Sequence, residues 1–226
     1  MNVTAAPLGE ATARIALRNR VLAAAAATPS MTRRQGQRIA VVLTLASVGV
    51  ALALFELAGG LAPPRDRPLF MTVRLADGWA LFSAILTWLV IGRGRSTLAR
   101  PPPAIAAATF ACPLLLMSWT QQFGDLSLAA SSGGPWSCFL LTMLVAAVPL
   151  ASFLVLRRGV EPQNPGTLGA AMGAMCGSWA SVLGLLHCPI VASEHVLVGH
   201  VAPLVLLTML GMLMGPSALG PRPTAP

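Results

Sequence analysis

Two cysteines and three histidines put joint chemistry within reach of this chain. Cys138 opens one apolar run, Cys188 closes the next, and His187, His195 and His200 lie beside or beyond that second end. Thiolate and neutral imidazole are the ligands that soft and borderline metals take. Two thiols at one level can instead form a disulfide or act as a redox-responsive pair. The spacing Cys138…His187-Cys188…His195 fits no standard metal pattern. Three readings therefore stand side by side: a disulfide, a sensing thiol pair, or a metal site with His187, Cys188 and His195 as its weak candidates. Cys112 and Cys176 fall mid-run and read as small apolar residues. Ser178 and His200 do not read as a hydrolase pair. Their depths in adjoining helices differ by roughly 8 Å at the helical rise, and no glycine follows the serine. No acidic or basic side chain lies near the centre of any apolar run, and no other catalytic constellation is visible, so no enzyme and no proton-coupled pump is expected.

The elements that must position these residues are membrane helices. With 226 residues, 55% hydrophobic and only 10% charged, and a mean hydropathy of +0.74, the chain is too apolar for an ordinary soluble domain. Crossing a hydrocarbon core of ~30 Å takes roughly 20 helical residues, with about 17 as a lower limit. Runs at 39–58, 75–91, 104–121, 138–156, 167–186 and 196–214 qualify. Between them lie breakers such as Pro63-Pro64, Pro101-Pro102-Pro103 and Asn164-Pro165-Gly166. The expected architecture is an all-α polytopic membrane helix bundle of six transmembrane helices, residues 39–214. A 1–38 cytoplasmic N-terminal segment precedes it, and a disordered, Pro-rich tail, 215–226, follows.

Arginine placement orients the bundle. The chain has no lysine, and its 15 basic residues are all arginine. Of these, 12 fall on the side shared by the N-terminal segment, the second and fourth loops and the tail, which makes that side cytoplasmic, with both termini there. Cys138 and Cys188 then sit at the outer face. The net charge of +8 is thereby explained by topology, and no direct nucleic-acid binding is expected. Trp79, Trp119 and Trp136 read as an outer aromatic belt and Trp88 as an inner one.

Two further patterns concern packing and partners. Gly169, Gly173 and Gly177 recur every four residues on one face, widened by Ala170 and Ala174, which lets another helix approach closely. Pro113, Pro149 and Pro203 lie inside apolar runs and favour kinks. Residues 9–28 read as an amphipathic helix, with Leu8, Ile15 and Leu22 on one face and Arg14 and Arg18 flanking it. Such a helix either docks on a cytoplasmic protein or lies on the anionic inner leaflet.

The C-terminal half resembles a known family. Trp136-Ser137-Cys138, the following run CFLLTMLVAAVPLASFLVLRRG, the small-residue helix after it and the closing Leu186-His187-Cys188-Pro189 are similar to the NrsF family of six-span bacterial anti-sigma factors. The light-controlled anti-sigma factors of carotenoid synthesis (the CarR type) share the arrangement. The resemblance implies a regulator in the bacterial inner membrane, without cofactor. Its N-terminal segment would hold an extracytoplasmic-function sigma factor until a stimulus releases it, with Leu8, Arg14, Ile15, Arg18 and Leu22 as contacts. It also implies an outer-face sensing pair at Cys138 and Cys188. After the His-Cys-Pro mark the chain reads Ile190-Val191-Ala192-Ser193 where the family would carry acidic residues, so redox, metal and light or singlet-oxygen stimuli all stay open. A small-solute transporter or channel is the alternative function.

Overall fold

The computed structural model describes residues 33–61, 69–91, 103–122, 134–157, 164–188, 190 and 192–219, together with Thr12, Ile15, Ala16, Arg18, Asn19 and Ala23. Seven α-helices are described: α1 Arg33–Leu57, α2 Leu69–Ile91, α3 Pro103–Gln121, α4 Pro135–Leu156, α5 Pro165–His187, the short α6 Ser193–Val196 and α7 Ala202–Leu219. A π-helical turn, Leu197–Val201, joins α6 to α7 without a break. The chain divides into two compact units, Met1–Ala40 and Val41–Pro226. Within the second unit, large apolar side chains such as Leu114, Leu144 and Leu213 point outward. Water penalises that arrangement and lipid tails do not, so the protein is a multi-pass membrane helix bundle.

A helix lies at each of the six apolar runs. Four stretches are long and apolar enough to cross a bilayer: Leu69–Val90, Pro135–Leu156, Pro165–His187 and Ser193–Leu219. The apolar parts of α1 and α3, Leu45–Leu57 and Ile105–Gln121, are shorter. The expected six spans thus appear as four full-length candidates and two shorter apolar helices. The second span begins earlier than its hydropathy indicates, at Leu69, because Arg74 and Asp77 are carried inside the helix. That places Trp79 mid-helix, only 2% exposed, stacked on Phe82 and donating its indole N–H to Ser178 O at 3.1 Å. Trp119 likewise donates inward, to Leu75 O at 2.9 Å, its ring occupying the space that a side chain at Gly78 would fill. Trp79 and Trp119 are therefore bundle residues rather than belt residues, whereas Trp88 and Trp136 face outward.

Helix α5 is the axis of the bundle, 89% buried over its apolar window against 28% for α4. Its glycines explain this. A methyl at Gly169 would run into Gly211 O, and one at Gly173 into Leu207 O; Gly177 faces the side chain of Leu204. In α7, Gly211 and Gly215 return the same contacts against Gly169 and Pro165. The two backbones touch along this seam, where dispersion and weak Cα–H···O contacts replace the hydrophobic drive that lipid cannot supply. Proline at the first turns of α4 and α5 suits helix starts, where the missing N–H would have no intrahelical acceptor.

Candidate functional site

The pocket is built where four segments converge at one end of the bundle. Cys138 lies in the first turn of α4, after Pro135 has started the helix. Cys188 is the residue at which α5 stops, its N–H donating to Gly184 O at 2.8 Å. His195 comes from α6 and His200 from the π turn. Their four potential donor atoms all lie within 4.8 Å of one another, and all four residues are buried. Cys188 Sγ is 3.1 Å from His195 Nε2, and the two imidazole centroids are 5.9 Å apart. Cys138 and Cys188 are free cysteines, not joined to each other.

The π turn accounts for His200. In a continuous α-helix, residues five apart point about 140° away from each other. Pro203 has no N–H to donate to Gly199 O, and its ring would crowd that carbonyl. The backbone instead closes a wider turn, Ala202 N–H to Leu197 O. This i to i+5 register brings positions 195 and 200 to the same side. Gly199 O, left by the proline, lies 3.4 Å from Thr142 Oγ1, which donates to it from α4.

Two glycines make room for the pocket. A methyl at Gly184 would sit 2.8 Å from His200 Nδ1, and one at Gly199 would sit 3.2 Å from Cys138 Cβ. Nothing in the sequence marks Gly184, Gly199 or Thr142, since each acts only through a neighbour from another helix.

Of the two cysteines and three histidines singled out in the sequence, the structure brings together Cys138, Cys188, His195 and His200. It leaves His187 out. His187 Nδ1 donates to Gly60 O at 2.7 Å, and its ring meets Phe55 edge-on at 6.1 Å. It therefore ties the C-terminal end of α1 to the end of α5. Gly60 accepts this bond from a left-handed turn, φ 62°, that a glycine adopts without strain. Ser178 pairs with Ser83 inside the bundle. The packing candidates Gly169, Gly173 and Gly177 lie on the seam with α7. Of the proposed partner contacts, Ile15 and Arg18 are helical and exposed. Leu8, Arg14 and Leu22 lie outside the described residues.

Residues 22–220 match the model of the NrsF family, described as negative regulator of sigma F. The chain belongs to the NrsF family. It is a membrane-embedded regulator of the anti-sigma-factor type, not an enzyme. The match is to the family as a whole and does not single out the light-controlled carotenoid type. No curated protein and no solved structure matches this chain.

Proposed function

We propose that this protein holds an extracytoplasmic-function sigma factor at the bacterial inner membrane and represses its target genes until a stimulus acts on the membrane bundle. The observation that carries the reading is the match of residues 22–220 to a family of negative sigma regulators. In this reading six helices cross the membrane, with residues 1–38 and the chain after Leu219 in the cytoplasm; the tail expected from 215 onward is helical as far as Leu219. The short apolar stretches of α1 and α3 are lengthened to full spans by flanking residues. The buried Cys138, Cys188, His195 and His200 cluster then lies near the outer face, where a redox, metal or light-derived oxidant signal arrives.

The sigma contact is assigned to Leu8, Arg14, Ile15, Arg18 and Leu22. These positions except Leu22 precede the matched region, so the assignment rests on their amphipathic spacing and on the exposure of Ile15 and Arg18. A segment that orders on binding must offset its entropy with a few dominant anchors. Ile15→Asp would bury an unpaired charge in the contact, at a cost of about 2 kcal/mol or more. The expected outcome is constitutive target-gene expression with normal accumulation of the protein in the membrane. Deleting residues 1–30 should give the same result. Silent target genes in both variants, at normal protein level, would overturn the proposal. Loss of lipid association with no transcriptional change would assign the helix to the membrane surface instead.

A cavity of about 470 Å³ among the described residues, between α1, α2, α4 and α5, does not favour the transporter alternative: it is lined by apolar side chains, with Ser47 and Thr87 offering its hydroxyls. Such a lining suits an acyl chain better than a polar solute.

A further inference from the structure

The Cys/His pocket has the donor set of a metal centre. Around a tetrahedral zinc ion, bond lengths of ~2.3 Å to sulfur and ~2.0 Å to nitrogen set donor–donor edges of about 3.3–3.8 Å. Here every such separation is already 4.8 Å or less, and the Cys188–His195 edge is 3.1 Å. Closing the longest edge therefore takes a shift of about 1 Å. Three donors come from the continuous stretch 188–200, and the fold brings Cys138 onto them from the first turn of α4. Two glycines are needed to admit them, since a methyl at Gly184 or Gly199 would press on His200 or Cys138.

Charge selects the ion. Two thiolates and two neutral imidazoles around a divalent cation sum to zero, which a buried site at the end of an apolar bundle can hold. A monovalent copper ion would leave a net negative charge there. Calcium and magnesium require oxygen ligands, and the pocket offers sulfur and nitrogen.

We propose that Cys138, Cys188, His195 and His200 form a closed, four-coordinate site for a divalent ion of the zinc class. On binding, the two thiol protons leave to solvent and each sulfur gains a bond to the ion, while the imidazoles bind through nitrogen lone pairs. The ion would pin the first turn of α4 to the end of α5 and to the π turn. Occupancy stands on the four donors alone. Its effect on sigma release rests on the anti-sigma reading.

The test uses the full-length chain, purified in detergent, stripped with chelator and titrated with cobalt. We expect one ion per chain, the visible ligand-field bands of a tetrahedral thiolate–imidazole centre, and bleaching of those bands by zinc. Native mass spectrometry of the unmutated chain should show one zinc ion added and two protons lost. Cys138→Ser, Cys188→Ser, His195→Gln and His200→Gln should each weaken binding at least tenfold and abolish the tetrahedral bands. Cys112→Ala and Cys176→Ala should change neither. Absence of saturable binding by the unmutated chain overturns the proposal, and so does a cobalt spectrum untouched by both histidine variants. Capture of the sigma factor by the same solubilised chain is scored separately. A chain that binds cobalt but captures no sigma factor keeps the site and loses the anti-sigma reading. Capture without metal binding does the reverse.

Discussion

Gly184 has no donor atom, yet it decides where His200 can stand. The methyl of an alanine there would lie 2.8 Å from Nδ1 and 2.9 Å from Cε1 of the imidazole. The ring must tilt or withdraw, because Gly184 lies within α5, the most buried helix. Disturbing the support of a metal ligand commonly costs about 10–100-fold in affinity. Gly184→Ala should therefore lower cobalt affinity by at least about tenfold, read by the same titration, while circular dichroism keeps its helical signal. Unchanged affinity would mean that His200 is not a ligand. His187 teaches the opposite lesson at this scale. It stands next to Cys188 in sequence, but the helix end turns its ring away to Gly60.

Among elements, the α5–α7 seam is the one whose removal should cost most. Gly173 abuts Leu207 O, so Gly173→Ala forces two backbones apart, at a cost of roughly 1–3 kcal/mol for overpacking. Gly166 is the matched control. A methyl there would find Met212 O at 3.5 Å, ordinary contact distance, and alanine is the better helix former. Thermal unfolding in detergent should show Gly173→Ala clearly less stable than the unmutated chain and Gly166→Ala equal to it or slightly better. Equal stability of both variants would mean that the seam tolerates separation. The π turn is the second decisive element. Pro203→Ala would restore an N–H able to reach Gly199 O, and with it the ordinary α register that swings His200 away from His195.

For the molecule as a whole, the number and direction of the membrane crossings set which side the Cys/His pocket faces. The 12-to-3 distribution of arginines favours six crossings with both ends inside. Reporter fusions should show cytoplasmic activity at Gly94, Gly159 and Gly220, and external activity at Pro64, Gly133 and Ser193. Cytoplasmic activity at Gly133 would reduce the number of crossings and move the Cys/His pocket to the other side of the membrane. That result would also change which stimuli reach the pocket, since thiols on the cytoplasmic side are kept reduced.

The sequence by itself determined the class of protein and the approximate place of each long helix among the described residues. Twenty-residue apolar runs, proline and glycine breakers and arginine bias are local signals, set by the thickness of the bilayer rather than by partners within the fold. It also picked out the four-residue glycine spacing in α5, and it placed Cys138 and Cys188 at helix ends. Only the tertiary structure decided which helix answers those glycines: Gly211 and Gly215 of α7 could be paired with them only once the crossing was known. Only it moved Trp79 from a boundary to the core, because the helix carries Arg74 and Asp77 and starts earlier than hydropathy indicates. The metal-like pocket needed three-dimensional information most of all. His200 joins through a π turn caused by a proline three residues later, and no periodicity of 3.6 anticipates a turn that breaks it.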